Sequence, residues 1–501
     1  MVLAAAAGVV LWLAFPPVGV GIAAIAGVAL LTAATWRAGI RRSLLAGLVT
    51  GLVFFVPLLH WMGVVGTDAW LLLSLYCSAW LALVGAGTSL VSRLPAAPVW
   101  VGALWALQEA LRGRIPWGGF PWGELAFAQP DTALGTLAAY IGAPGLSFVV
   151  AAMGAAVITA IVAVRSGRAR AAVSWLAGAA VVFAASAVLP LAASGDTVGG
   201  EASARIAVVQ GGTPQFGLGA LDVRRAVLDN HVAQTLDLAA AVADGSVEQP
   251  EFVLWPENSS DLDPFAEPEV AEAITAAARA IGVPILVGAV ISADDPSGVW
   301  NVGIVWDPES GPTEMYIKTH PVPFGEYIPF RDFLAQHIAR FDRIPRDFLP
   351  GDRPGNLDIA GIAVGNVICF EIAYSEVVDA VVDGGARLLT VQTNNATYGG
   401  TAQPEQQLAI SRLRAIETGR TVAVAATSGI SAIIDATGAV SDRMGEGESG
   451  WIVAEVPLHG QPTWASRVGH LVEGALCLAA LAALAVAVTA TVRASRSRTA
   501  Q

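Results

Sequence analysis

The chain is short of charge, of cysteine and, above all, of lysine. Only 14% of its 501 residues are Asp, Glu, Lys or Arg, against a hydrophobic fraction of 54%. So little charge excludes an ordinary soluble globule and a disordered chain alike. Three cysteines, Cys77, Cys369 and Cys477, are too few for a disulfide scaffold, and no Cys/His grouping has metal-ligand spacing. Lysine occurs once, at Lys318, among 28 basic residues. Arginine evidently serves wherever a positive charge suffices. The one lysine is either a neutral survivor or a place that needs a compact ammonium. A net charge of −13 argues against nucleic acid as a partner. Internal repeats and low-complexity linkers are missing too.

What is present is unevenly spread. Residues 201–466 carry 15 basic and 35 acidic side chains, a net of −20, between two apolar ends nearly free of acid. The length calls for more than one domain. The composition shift divides it into a transmembrane domain of about seven helices over 1–195, a water-facing domain over 200–465, a C-terminal transmembrane helix over 470–493 and a basic tail over 494–501. Predicted spans are Val2–Phe15, Val18–Trp36, Leu44–Met62, Trp70–Val91, Pro98–Leu111, Tyr140–Val164, Ala171–Ala193 and Val472–Val492. Most are long enough for a ~30 Å hydrocarbon core, while the first and fifth are short. They lack the polar face of helices in a soluble core. The first lacks the basic start of a signal peptide and runs into Pro16–Pro17 and a second span.

Arginines set the orientation. Arg37, Arg41 and Arg42 follow the second span, Arg93 the fourth, Arg165, Arg168 and Arg170 the sixth, and Arg493, Arg496 and Arg498 the last. With seven spans before the acidic domain and one after, these all fall on one side, cytoplasmic by the positive-inside rule. Both termini are then expected on the cytoplasmic side of the membrane and the acidic domain on its extracytoplasmic side. Arg112 and Arg114 break the pattern. Within Trp105–Gln129, Glu109 and Arg112 share a helix face. A charge at bilayer depth costs about 2.5–3.5 kcal/mol, so pairing or a water-filled cavity is expected there. The Gly/Pro/Trp-rich loop Trp117–Trp122 reads either as an aromatic helix anchor or as a lipid-contacting entry. Glu109, Arg112, Trp117 and Trp122 are therefore candidate lipid or substrate contacts.

In the central domain, strands are predicted at Arg205–Gln210, Phe252–Trp255, Val283–Ile291, Val299–Trp306, Gly361 to Cys369, Leu388–Thr393, Thr421–Thr427 and Ser431–Asp435. Helices are predicted at Leu218–Ala243, Glu267–Ile281 and Pro404–Thr418, with another starting near Tyr374–Ser375. Alternating strands and helices indicate an α/β layered domain, with Val283–Ile291 and Val299–Trp306 as antiparallel neighbours.

Three residues in it bear chemistry. Cys369 ends a β-branched strand where an α/β fold exposes a nucleophile, although a lone Cys in an apolar strand also serves as a small core residue. Glu257 follows the strand ending Trp255–Pro256, another ligand-bearing strand end. A thiol needs a base, and Glu257 is a candidate. A tetrahedral intermediate needs a positive donor, and Lys318 is a candidate. A Cys–His pair, with His320 or His337, is the rival arrangement, though the prolines around His320 suit a loop.

The motifs WPEN (Trp255–Asn258), YIKTHPVPFGEYIP (Tyr316–Pro329) and VICFEIAYSE (Val367–Glu376) resemble the nitrilase, or carbon–nitrogen hydrolase, superfamily. With EALRG and GFPWG among the apolar helices, and with SRLRAIETGRTVAVAATSGISAIIDATG (Ser411–Gly438), nearly the whole chain resembles the apolipoprotein N-acyltransferase family. Two departures stand out. NNATYG (Asn394–Gly399) occupies the place of an Asp and an aromatic, and Phe370 stands where tyrosine is also common.

The resemblance implies an α-β-β-α sandwich beside a polytopic helical membrane domain. It makes Glu257 the general base, Lys318 the oxyanion stabiliser and Cys369 the nucleophile, with Glu326 and Glu371 as accessory acids. It implies a phospholipid acyl donor, a Cys thioester, a diacylglyceryl-cysteine lipoprotein acceptor and no cofactor or metal. A membrane-tethered amidase using water as acceptor, and a non-catalytic scaffold, remain as alternatives.

Overall fold

The computed structural model describes residues 1–193, 202–214, 216–217, 224–295 and 298–499. The chain divides into two compact units, residues 1–198 with 463–501, and residues 199–462.

The first unit is helical: α1 (Val2–Leu13), α2 (Ala23–Thr35), α3 (Ile40–Leu58), α4 (Thr67–Val91), α5 (Ala97–Arg112), α6 (Ala138–Arg165), α7 (Ala169–Ala193) and, from the chain's other end, α13 (Trp464–Thr499). Among the described residues, five stretches are long and apolar enough to cross a membrane: Ile40–Leu58, Thr67–Val91, Ala133–Arg165, Ala169–Val188 and Trp464–Arg493. The other three expected spans correspond to shorter helices. The helices α1, α2 and α5 have 12, 13 and 16 residues. At ~1.5 Å per residue none reaches ~30 Å unaided. The prolines Pro16–Pro17 close α1, and Gly113 follows α5.

Lipid offers no hydrophobic drive between helices, so close packing must hold them together. Small residues at four-residue spacing supply it. Ser43, Gly47 and Gly51 line the face of α3 that meets α4, and a Cβ on Gly47 would lie 2.1 Å from the carbonyl oxygen of Leu81. Any larger residue there would push the two backbones apart.

The second unit holds two sheets. In the first, β13 (Gly450–Pro457), β1 (Ser203–Gln210), β2 (Phe252–Leu254), β3 (Ile285–Ser292), β4 (Gly298–Asp307) and β5 (Gly311–Ile317) lie in that order, with β6 (Asp347–Phe348) against β4. In the second the order is β12 (Val440–Met444), β11 (Ser431–Ile434), β10 (Val422–Ala426), β9 (Leu388–Thr393), β8 (Ile362–Ile368) and β7 (Asn356–Ile359). Strands β1, β2 and β3 run parallel, as do β8, β9 and β10, while the outer pairings are antiparallel apart from the short parallel pairing of β6 with β4.

Strand alternation builds the layers. Ile206, Val208, Phe252 and Leu254 pack against Val364, Ile368, Leu388 and Ala423 of the other sheet. Their neighbours Ala207, Val209 and Val253 face α8 (Arg224–Ala243) and α9 (Pro268–Ile281) through Leu228, Leu238, Val270 and Ile274. On the far side, α11 (Ser375–Asp383) and α12 (Gln403–Thr418) cover the second sheet. Because both faces are buried, the central strands are apolar throughout instead of alternating. The result is an α-β-β-α sandwich beside a helical membrane unit.

Strands β3 and β4 pair antiparallel with Gly288 opposite Gly303. Five of the described strands went unread in the sequence: β5, β6, β7, β12 and β13. The last is the most consequential, because it pairs with β1 across 250 residues, from Ser203 opposite Pro457 to Gln210 opposite Gly450. The first part of the predicted helix Leu218–Ala243, residues 218–223, lies outside the described residues, as do the boundary between the first two predicted domains and the end of the tail. Strand β8 stops at Ile368, one residue short of the predicted end.

Candidate active site

Glu257, Lys318 and Glu326 converge, Glu257 from the loop after β2 and the other two from the loop after β5. Glu257 follows β2, and the amide of Asn258 turns away at φ +56°. Lys318 ends β5 and is 1% exposed. Its Nζ donates to Glu257 Oε1 at 3.2 Å and to Glu326 Oε1 at 2.9 Å. An ammonium has three donors, so one remains for another oxygen. Asn301 of β4 ties both carboxylates together, donating through Nδ2 to Glu257 Oε1 at 2.8 Å and Glu326 Oε1 at 2.9 Å. The second oxygens are held by backbone: Asn394 N donates to Glu257 Oε2 at 2.9 Å, and Val322 N to Glu326 Oε2 at 2.6 Å.

Two carboxylates around one ammonium have a definite electrostatic result. Burial lowers the Lys318 pKa, but Glu257 and Glu326 outweigh it and hold the group well above its ordinary value. Lys318 is therefore a permanent cation. A lysine buried beside no acid would lose its proton instead.

Cys369 opens a 3-10 turn, Cys369–Ala373, with φ +57°. The left-handed region costs a non-glycine residue about 1–2 kcal/mol. Such an outlier at a strand end is a mark of a functional position. Thr393 Oγ1 donates to its Sγ at 3.3 Å. Burial, and then the carboxylate of Glu257, push the thiol up to about 12, while Lys318 and the Thr393 hydroxyl pull the other way. The resting sulfur thus keeps its proton.

Glu371 plays a different part from Glu326. Its Oε1 accepts from Thr319 N at 2.8 Å and His320 N at 3.0 Å, and its Oε2 from Ile368 N at 2.8 Å. Tyr316 donates to the same carboxylate at 2.9 Å. It therefore staples the cysteine turn to the lysine loop by backbone groups. His320 and His337, the rival bases, bond elsewhere: His320 Nδ1 lies 3.0 Å from Thr319 Oγ1, and the exposed His337 Nδ1 lies 2.8 Å from Phe333 O.

Residues 7–156 match the family described as Apolipoprotein N-acyltransferase N-terminal domain, and residues 205–465 match Carbon-nitrogen hydrolase. An Apolipoprotein N-acyltransferase of Mycolicibacterium smegmatis is 38% identical over 96% of this chain and 84% of its own length. The chain belongs to the apolipoprotein N-acyltransferase family. A second relative of that name, from Methylococcus capsulatus, is 30% identical over 87% of this chain and 86% of its own. Among solved structures, a Nesterenkonia amidase of the nitrilase superfamily is 17% identical, with a TM-score of 0.36, over 52% of this chain and 93% of its own. The protein is thus an enzyme of the apolipoprotein N-acyltransferase kind, in the nitrilase superfamily, with apolar helices suited to a cell membrane.

In this acyltransferase-family chain, three polar residues went unnoticed in the sequence, Asn301, Thr393 and Gln407, while Asn394 stood out only as the start of NNATYG. A signal existed for Asn301. An amide within the apolar run GVWNVGIVW must find partners if the strand is buried. The Asn394–Gly399 departure is integrated into the site, with Asn394 on Glu257 and Asn395 Nδ2 on Gln407 Oε1 at 2.7 Å. Phe370 packs on Tyr374 at 5.5 Å between ring centroids.

The four candidate lipid contacts fare differently. Glu109, Arg112 and Trp122 are 4%, 0% and 1% exposed, enclosed by protein. The two charges do not pair with each other. Arg112 Nη1 donates to Phe120 O at 2.7 Å and Trp122 O at 2.5 Å, and Glu109 Oε1 accepts from Leu125 N at 3.0 Å. Backbone groups of the loop, close in sequence, reach these charges first. Trp122 meets Trp61 edge-on and stacks with Phe120. Trp117 alone of the four is exposed, at 46%.

Proposed function

We propose that the chain moves an acyl group from a membrane phospholipid, through a thioester on Cys369, to the N-terminal amine of a diacylglyceryl-cysteine apolipoprotein. The observation that carries this reading is the ammonium of Lys318 held between Glu257 and Glu326 beside a thiol on a strained turn. The sulfur attacks the ester carbonyl while Glu257 takes the thiol proton, so no free thiolate need accumulate. Lys318 and backbone N–H groups receive the oxyanion. Collapse expels the lysophospholipid alkoxide, which leaves with the proton held by Glu257. The incoming amine then attacks the thioester, gives its proton to Glu257, and the sulfur departs and regains it.

The printed names of the relatives support lipoprotein N-acylation, and five long apolar helices suit two lipid-anchored substrates. Under this reading the second unit faces the extracytoplasmic side, with both termini in the cytoplasm. Trp117 meets lipid directly, and Glu109, Arg112 and Trp122 support its loop from behind. The test is intact-mass measurement after incubation with phospholipid. An acyl adduct on Cys369 that discharges onto a diacylglyceryl peptide is expected. Release of free fatty acid with no acylated amine would identify a hydrolase instead.

A further inference from the structure

The strained backbone at Cys369 must be held by its surroundings. Glu371 ties the start of the turn through Ile368 N, and the other holder is α12. Gln407 and Arg414 stand seven residues apart on that helix, two turns, and so share a face. Gln407 Nε2 donates to Cys369 O at 3.1 Å. Arg414, fully buried, donates through Nε to Ile372 O at 3.0 Å and through Nη2 to Ala373 O at 2.7 Å. Its Nη1 reaches Ser375 Oγ at 3.1 Å and pairs with Glu417. One helix therefore grips the first and last carbonyls of the Cys369–Ala373 turn.

Gln407 also aims a proton. Its Oε1 accepts from Asn395 Nδ2 at 2.7 Å and Gln403 Nε2 at 3.1 Å, which fixes the orientation of the amide. Its Nε2 then faces Thr393 Oγ1 at 3.1 Å. A hydroxyl that accepts there directs its own hydrogen to Cys369 Sγ, 3.3 Å away. The chain of donors runs from α12 through β9 to the sulfur.

We propose that Gln407 and Arg414 are positioning residues that hold the Cys369 turn, and through Thr393 the sulfur itself, in register with Glu257 and Lys318. The inference rests on Cys369 being the nucleophile. It assigns a purpose to the Ser411–Gly438 motif that the triad alone leaves unused, and to Gln407 one turn before it.

The test uses the full-length protein in detergent with a water-soluble p-nitrophenyl ester as acyl donor. Nitrophenolate release and the Cys369 adduct mass are followed. Gln407→Met keeps the volume and removes the donors. Arg414→Lys keeps the charge and removes the fork. Each variant should lose about tenfold or more in the saturating acylation rate, with the half-saturating donor concentration nearly unchanged, as expected for misplacement of a reacting atom. Ile274→Val, across the first sheet from this turn, serves as a control for loss of stability and should leave the rate alone. Should Arg414→Lys fail to fold, Gln407→Met decides. Rates near those of the unsubstituted chain in the folded variants overturn the proposal, as does an equal loss in the Ile274→Val control. Absence of any adduct dependent on Cys369 in the unsubstituted chain overturns the nucleophile reading, and this one with it.

Discussion

Glu109 and Arg112 in the membrane unit, and Glu257 and Lys318 in the second unit, are each no more than 5% exposed. Both pairs bury opposite charges, yet they are satisfied in opposite ways. Lys318 meets Glu257 from a distant loop and Glu326 from the loop that Lys318 itself begins, and Asn301 joins those carboxylates from β4. Arg112 meets the carbonyls of a loop that begins at the end of its own helix, and Glu109 meets an amide of the same region. The first arrangement gathers reactive groups around a cysteine. The second shapes a loop. Arg112 also leaves Nε and Nη2, and Glu109 leaves Oε2, without hydrogen-bond partners. Burial of charge is thus no sign of catalysis by itself; the groups that answer the charge decide.

Substitutions can break this comparison, and the largest effects belong to the second unit. Cys369→Ser and Glu257→Gln should each give folded protein with no acyl adduct by intact mass. The first replaces an accessible thiolate by an inaccessible alkoxide, and the second is nearly isosteric but accepts no proton. Next comes Lys318→Arg, which keeps the charge and should lose ~10²-fold or more in acylation rate, the scale of a lost oxyanion donor. A planar guanidinium cannot occupy the place of an ammonium between Glu257 and Glu326. Turnover within a few-fold of the unsubstituted chain would remove Lys318 from the chemistry.

Smaller effects are expected in the membrane unit. Trp122→Ala should cost about 3 kcal/mol of stability by emptying a packed site. Acylation by a short, water-soluble donor should stay within a few-fold in the fraction that remains folded. Arg112→Lys is the mirror of Lys318→Arg. It cannot reproduce the fork onto two carbonyls and should cost about 1–2 kcal/mol in thermal stability, again with little loss toward the soluble donor. A large loss of soluble-donor rate in either variant would erase the distinction between the two clusters.

The mildest effect is on pH dependence. The Cys369 thiol is raised from an ordinary value of 9.0 to about 12. Its alkylation by iodoacetamide should therefore keep rising about tenfold per pH unit beyond 9 instead of levelling there. The sign for stability follows. The unfolded chain releases this proton first, so folding weakens as pH climbs from about 9 to about 12. Thr393→Val removes a hydrogen bond that favours the thiolate and should slow alkylation further at each pH.

The site was legible in part because its members are rare or sit at strand ends. Lys318 is conspicuous as the only lysine, Cys369 as the only cysteine between the apolar ends, and Glu257 by its Pro-flanked strand terminus. Asn301, Thr393, Asn394 and Gln407 carry no such mark, since amides and threonines are common and only their partners make them notable. The lipid-contact reading of Trp122, Glu109 and Arg112 came from composition and depth, which describe where a segment lies and not which way a side chain points. The ends of the shorter helices were blurred for a similar reason. An apolar run records burial, but Pro16–Pro17 and Gly113 set where the helix stops.

Sequence alone determined the division into apolar ends and an acidic centre, the α/β class of that centre, and the choice of three candidate residues for the proposed chemistry. Those follow from local periodicity, composition and residue type, all of which act over a few residues or a whole segment. Tertiary structure alone decided that β13 closes on β1, that Glu326 and not Glu371 touches the lysine, that Cys369 sits at φ +57°, and that Arg112 turns inward to its own loop. Each of these settles how buried polar groups or strand edges find partners, and that accounting closes only over the folded chain as a whole.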